Sequence, residues 1–352
     1  MAYRLRMARA ACVLALLAVG VGAAVAPAAA LASRPQAAAR AAASAPAVRA
    51  PAVRAPAAGA PAARVRLYLA DVFSVGRHPV TVPHRPFHLL GVLTRYAPGE
   101  TVALRVTLDG RPLRAERLRP TPIRGSTWGE FRVALSSPGP GQLAIWVSHA
   151  ADGQLGPFAS VRRLSVLSPW VRFGARGPLV SLIQQRLAAL HLYVPQTGVY
   201  DQGTGWALDA YHRLLGWGTS QTLDGRTLRA LLDGVGAFRV HFADHGRHAE
   251  GDLGRQLLAL VNGSRVIAIY PISSGKPSTP TVLGDFRVYL KVPGYLPDGM
   301  YYSNFFYGNY AIHGYDPAPD FPASHGCMRL PIPDAISVYD WLGIGDWVDV
   351  YR

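Results

Sequence analysis

The apolar residues of this chain change their period twice, and that limits the fold more than any other feature. From 65 to 167 they fall in short alternating runs separated by Pro and Gly turns, the period of half-buried strands. The candidate strands are Arg66–Val75, Phe87–Leu93, Thr101–Leu108, Glu130–Leu135, Gln142–Ser148 and Val161–Leu167. Asp109-Gly110, between Thr101–Leu108 and Arg111–Arg117, is a type I′ hairpin signal. These runs predict a β-sandwich of Ig-like class, although the cysteine pair of antibody domains is missing. From 169 to 234 the period becomes helical. Val180, Ile183, Leu187 and Leu190 share one face, as do Trp206, Ala210, Tyr211 and Leu214, and a third helix is expected over Arg226–Leu232. A small three-helix module follows. From 246 to 352 strands return, at Gln256–Val261 and Arg265–Pro271 around an Asn262-Gly263 turn, within Thr281–Leu290, at Ala311–Gly314 and at Trp347–Tyr351. Pro333–Leu342 reads as the one main helix of this β-rich domain. The chain is therefore expected to be multidomain.

Residues 1–32 read as an export signal. Arg4, Arg6 and Arg9 precede an apolar run from Ala10 to Val25, and Ala30-Leu31-Ala32 offers a cleavage site. An uncleaved anchor is the other reading, and only then would the protein meet the membrane. Both place the rest of the chain outside the cytoplasm, in the cell wall or on the periplasmic or extracellular side. Residues 33–64, rich in Ala, Pro and Arg, are expected to be a disordered tether. The net charge is +15, and residues 1–64 hold eight arginines and no acid, so subtracting them leaves +7 for the remainder. That is not a nucleic-acid footprint, but it suits an anionic wall.

The chain has two cysteines. Cys12 lies in the signal, so Cys327 is the lone exported thiol and no intrachain disulfide forms. A reactive thiol needs a base or a positive charge nearby. His325 stands two residues before Cys327, His313 fourteen before it, and Arg329 two after it. Gly326 lets the backbone approach a substrate closely. Backbone N–H groups around the cysteine would then hold an oxyanion. His313, His325 and Cys327 lack the acid a metal enzyme needs, so no metal is expected there, and nothing calls for a cofactor. His241, His245 and His248 have metal-like spacing but sit in a polar stretch, read here as solvated linker.

Ser324-His325-Gly326-Cys327-Met328-Arg329-Leu330, preceded by Ile312-His313-Gly314, resembles the active-site signature of the L,D-transpeptidases, the YkuD-type catalytic domain. Tyr270–Phe286 resembles that family's early strand and loop, with Val282-Leu283-Gly284 where Pro-Thr-Gly is common. The features of 169–234 resemble a peptidoglycan-binding helical domain, through Gly174, Gly177, Gln184, Gly198-Val199-Tyr200, Thr204 and Asp224-Gly225; His212 replaces its usual Gln. The resemblance implies that Cys327 attacks the bond between the third stem residue and D-Ala, and that an acceptor amine then completes a 3→3 cross-link. His313 would be the general base, its ring oriented by a carbonyl such as that of Gly314. His325 and the N–H groups of Gly326 and Cys327 would form the oxyanion site. Which histidine does which job stays open on the sequence. Ser324 would shape the loop, and Arg329 would support the site, meet a substrate carboxylate or form a structural salt bridge. The aromatic stretch Gly294–Asn309 is either a cap or ordinary core. Tyr301, Tyr302 and Tyr310 are the candidates for contacting the stem peptide.

The partners expected are peptidoglycan stem peptides and glycan, with no nucleic acid; the oligomeric state is not legible. An L,D-carboxypeptidase, with water as acceptor, shares the acyl-enzyme. A non-catalytic wall-binding protein is the reading from another class, and the intact His313, His325, Gly326, Cys327 and Arg329 set argues against it.

Overall fold

The computed structural model describes residues 62–152 and 154–352. The expected signal and most of the tether lie outside the described residues. Ala63, assigned above to the tether, is buried among the sandwich side chains, and Arg64 exchanges backbone contacts with Thr94.

The first lobe contains β1 (Val65–Ala70), β2 (Phe73–Val75), β3 (His78–Thr81), β4 (Phe87–Leu93), β5 (Val102–Leu108), β6 (Arg111–Leu118), β7 (Thr121–Pro122), β8 (Gly129–Leu135), β9 (Gly141–His149) and β10 (Phe158–Val166). One sheet has the order β1-β4-β8-β7 and the other β2-β3-β10-β9-β5-β6. Alternate residues of β4, β5, β8 and β9 face a shared apolar core. The expected strand Arg66–Val75 is divided. Asp71 takes a positive φ of 64°, and the chain crosses from one sheet to the other there. Asp109 and Gly110 both have positive φ, 49° and 81°, as a type I′ turn requires.

Three helices follow: α1 (Pro178–Ala189), α2 (Gln202–Leu214) and α3 (Gly225–Leu232). Asp201 and Asp224 cap α2 and α3 by accepting from the N–H groups of Thr204 and Thr227. Gln184, fully buried, donates to the Val199 carbonyl and accepts from the Gly198 N–H. His212 is also buried, between the Ser220 carbonyl and the Thr227 hydroxyl.

The last lobe carries β11 (Arg247–Asp252), β12 (Leu257–Asn262), β13 (Arg265–Pro271), β14 (Gly284–Arg287), β15 (Leu290–Tyr295), β16 (Tyr301–Tyr307), β17 (Tyr310–Gly314), β18 (Met328–Leu330), α4 (Ile332–Trp341) and β19 (Trp347–Tyr351). Five strands run in the order β13-β12-β11-β19-β14 and four in the order β15-β16-β17-β18. Asn262 and Arg265 pair, so the turn residues are Gly263 and Ser264, one position later than expected. Gly263 has φ 59°, which fits glycine first in a type II′ turn. The solvated-linker reading is overturned for His245 and His248, while His241 is exposed. His248 lies fully buried on β11 against Glu250, and His245 meets Asp349 at 3.0 Å.

The helices and the five-stranded sheet share one core: Leu257, Ala259, Val261 and Ile269 pack with Leu182, Leu187, Leu208 and Leu231. Residues 191–193 add to the sheet edge, where Ile269 donates to the His191 carbonyl at 2.8 Å and accepts from Tyr193 N–H at 2.9 Å. Arg213 of α2 is buried; it pairs with Asp209 at 2.6 Å and donates to the carbonyls of Gln256 and Ile272 at 2.8 and 2.9 Å. Arg213→Ala is expected to strand a buried carboxylate and two carbonyls, at a cost of about 3–5 kcal/mol. Urea unfolding of variant and parent checks this; a loss near zero would mean the buried pair holds nothing together.

Candidate active site

The site forms where β17 and β18 run parallel, with Ile312 opposite Met328 and His313 opposite Arg329. Cys327 is the residue before β18, so the strand pairing carries it to the side of β17. Its Sγ lies 3.5 Å from the Asn309 carbonyl. Burial pushes the thiol above its ordinary range, while the Ala311 N–H and the Arg329 charge pull it back. The resting group is therefore a thiol, not the preformed thiolate that the sequence pattern invites.

His313 is 2% exposed. Its Nδ1 lies 2.8 Å from the Gly314 carbonyl. A carbonyl only accepts, so Nδ1 carries the proton and Nε2 is the basic atom. Burial first, then the Arg329 charge, lower the ring to about 4, against the pull of Gly314. At neutral pH the imidazole is uncharged and able to take a proton.

The loop that presents the cysteine is closed by Ser324, itself buried. Its hydroxyl donates to the Cys327 carbonyl at 2.6 Å and accepts from the Gly326 N–H at 3.0 Å. That N–H is thus engaged and does not face a substrate, unlike the arrangement expected for the oxyanion. Gly326 has φ 122°, and a Cβ there would sit 1.8 Å from a ring carbon of Tyr310. Only glycine meets both demands.

His325 is exposed, and its Nε2 lies 3.3 Å from Lys276 Nζ. The ammonium donates, so the ring proton is on Nδ1. Lys276 was not singled out from the sequence; its being one of two lysines was the available signal. Arg329 makes no salt bridge among the described residues. Its guanidinium stacks 3.9 Å above the Tyr315 ring, and Tyr315 in turn lies edge-on to His313. Asp298, on the turn between β15 and β16, adds negative charge felt by both Cys327 and His313. Neither Tyr315 nor Asp298 belongs to a motif.

The aromatic stretch divides. Phe306 is core. Tyr295 and Tyr301 pair at 4.4 Å on the hairpin of β15 and β16, with Tyr295 65% exposed. Tyr302 lies edge-on to Tyr301 at 4.6 Å and to Tyr339 of α4 at 5.0 Å, and Tyr310 lies on Gly326.

The loop is also held from behind. Ser274 O accepts from the N–H groups of Ala323 and Ser324, both at 2.9 Å. Ser274 exchanges two hydrogen bonds with Gln256, whose own carbonyl accepts from Arg213. A run of hydrogen bonds thus joins the helical segment to the cysteine loop.

A thiol just before β18 and a tautomer-fixed, uncharged imidazole on β17 thus sit on paired strands, in a loop locked by a buried serine. Residues 246–350 match the family model of the L,D-transpeptidase catalytic domain, YkuD. Among solved structures, the chain is similar to an L,D-transpeptidase (residues 123–326) from Xylanimonas cellulosilytica DSM 15894, at 29% identity over 53% of this chain and 98% of that one, with TM-score 0.49. It is similar to an L,D-transpeptidase from Stackebrandtia nassauensis at 20% identity, over 52% and 96%, with TM-score 0.34. An L,D-transpeptidase from Mycobacterium smegmatis is 12% identical over 82% and 100%, with TM-score 0.28. No curated protein matches the chain.

Gly326→Ala is expected to displace the Tyr310 ring or the loop and to slow acylation of Cys327 by about 100-fold or more, since misplacement of about 1 Å costs that much. Intact-protein mass spectrometry of adduct formation against time is the measurement. A rate within about threefold of the parent would remove the glycine requirement.

Proposed function

We propose that this protein acts outside the cytoplasm as a peptidoglycan L,D-transpeptidase, forming 3→3 cross-links through an acyl-enzyme on Cys327. The observation that carries the reading is the His313 tautomer, with Nδ1–H held by Gly314 and Nε2 uncharged beside the cysteine loop. Nε2 takes the thiol proton as sulfur attacks the carbonyl carbon of the third stem residue. The C–N bond to D-Ala breaks, and the leaving amine takes the proton from His313. An amine of a second stem gives a proton to Nε2, attacks the thioester, and releases Cys327 as the thiol. The oxyanion falls to the Cys327 N–H and to the side of the loop formed by His325 and Lys276, because Ser324 occupies the Gly326 N–H. Tyr301 and Tyr310 would flank the stem peptide, and the helical segment would hold glycan near the site.

Incubation with disaccharide-tetrapeptide tests the reading by mass. Cross-linked dimer and free D-Ala are expected, with neither product from Cys327→Ala. Tripeptide without dimer would make water the acceptor and the enzyme a carboxypeptidase. No turnover by an intact, folded protein would sink both.

The depressed His313 predicts the pH profile. The ring stays uncharged down to about 4, so acylation by a carbapenem should be nearly level from pH 5 to 8 and fall as pH drops through about 4. His313→Ala should cost about 10²–10⁴-fold. The same depression favours protonation in the unfolded chain, where the ring titrates near 6.5, so stability is lost as pH falls from 6.5 towards 4. An acid limb centred at 6.5 would show a solvated imidazole.

A further inference from the structure

The first lobe holds three side chains that the transpeptidase chemistry does not use. Glu100 precedes β5, His149 ends β9, and Asp152 follows in the connection to β10. His149 is 7% exposed and stacks on Phe158 with ring centroids 5.4 Å apart. Its Nδ1 lies 3.2 Å from the Thr101 carbonyl. The carbonyl only accepts, so Nδ1 carries the proton and Nε2 of the neutral ring is a bare lone pair. That Nε2 is buried and has no hydrogen-bond partner among the described residues. It stands 3.2 Å from Asp152 Oδ2, without the alignment of a hydrogen bond. Two electron-rich atoms so close repel each other unless a proton or a metal cation lies between them.

The surroundings prepare the same point. Asp152 Oδ1 accepts from the N–H groups of Gln154 and Leu155 at 2.7 and 2.8 Å, which fixes the carboxylate and leaves Oδ2 facing the imidazole. Glu100 brings a second carboxylate, and one ligand atom from each of the three residues lies within 4.8 Å of the others. Metal-bound histidines commonly donate their second ring N–H to a carbonyl, as His149 does. A tetrahedral zinc ion, with bonds of about 2.0 Å, sets its ligand atoms about 3.3 Å apart, close to the Nε2–Oδ2 separation.

We propose that Glu100, His149 and Asp152 bind one divalent transition-metal ion of the zinc class, with water completing its shell. One imidazole and two carboxylates suit zinc; calcium takes six to eight oxygens. The ion ties the connection after β9 to the chain entering β5. The three residues have no motif spacing, and only the fold brings them together.

The test is calorimetric titration of the metal-stripped full-length chain with zinc chloride at pH 7.5, with calcium chloride as control and Cys327→Ala as the parent so that the thiol takes no part. One zinc per chain is expected, with a rise in melting temperature and no calcium response. Asp152→Asn and His149→Gln should each weaken zinc by more than about tenfold, on the scale of ligand and supporting-shell losses. Glu100→Gln, part-exposed, serves if a buried substitution unfolds the lobe, and circular dichroism separates the cases. No zinc uptake, or uptake undiminished in Glu100→Gln and Asp152→Asn, overturns the site.

Discussion

Arg213 is the group on which the rest of the molecule depends. A guanidinium with almost no solvent exposure has to be paired, and the partners of its two terminal nitrogens lie on both the helix and the sheet. Asp209 is on its own helix, and Gln256 and Ile272 bracket two strands of the catalytic sheet. Gln256 then grips Ser274, and Ser274 fixes the backbone on which Ser324 stands. The position of Cys327 is set in part by a residue over a hundred positions earlier. The helical segment is therefore a structural part of the catalytic lobe as well as a candidate for holding the wall.

The interior of the site resolves a tension in the sequence. Positive charge next to a cysteine suggests a stored thiolate, yet low dielectric disfavours separated charges on both partners. Burial raises the thiol and lowers His313, so the resting pair is uncharged. A thiol gains from this in resistance to oxidation, because thiolate is the form that oxidants attack.

Local signals were legible where local geometry decided them. Asp109-Gly110 adopts the φ pair that its residues favour, and Trp347–Tyr351 is a strand with the bounds expected of it. Arg247–Asp252 was missed because its composition is polar, yet it is a buried strand whose His248 and Glu250 satisfy each other. Arg66–Val75 looked continuous because one residue, Asp71, makes the crossing between sheets. Within the site, the cluster around Cys327 could be read from adjacency alone. Lys276, Asp298 and Tyr315 could not, since only the folded sheet brings them to the loop. The role of Gly326 changed for a related reason: its N–H is close to the thiol in sequence, but Ser324 reaches it first.

The short run 191–193 has a further consequence. β13 is the outer strand of the five-stranded sheet, and an open outer strand invites copies of a protein to zip together. Here the outward amide and carbonyl of Ile269 are occupied from within the same chain. At that rung nothing is left for another molecule to pair with. The sheet is thereby shielded on this side from strand-by-strand association between copies of the chain.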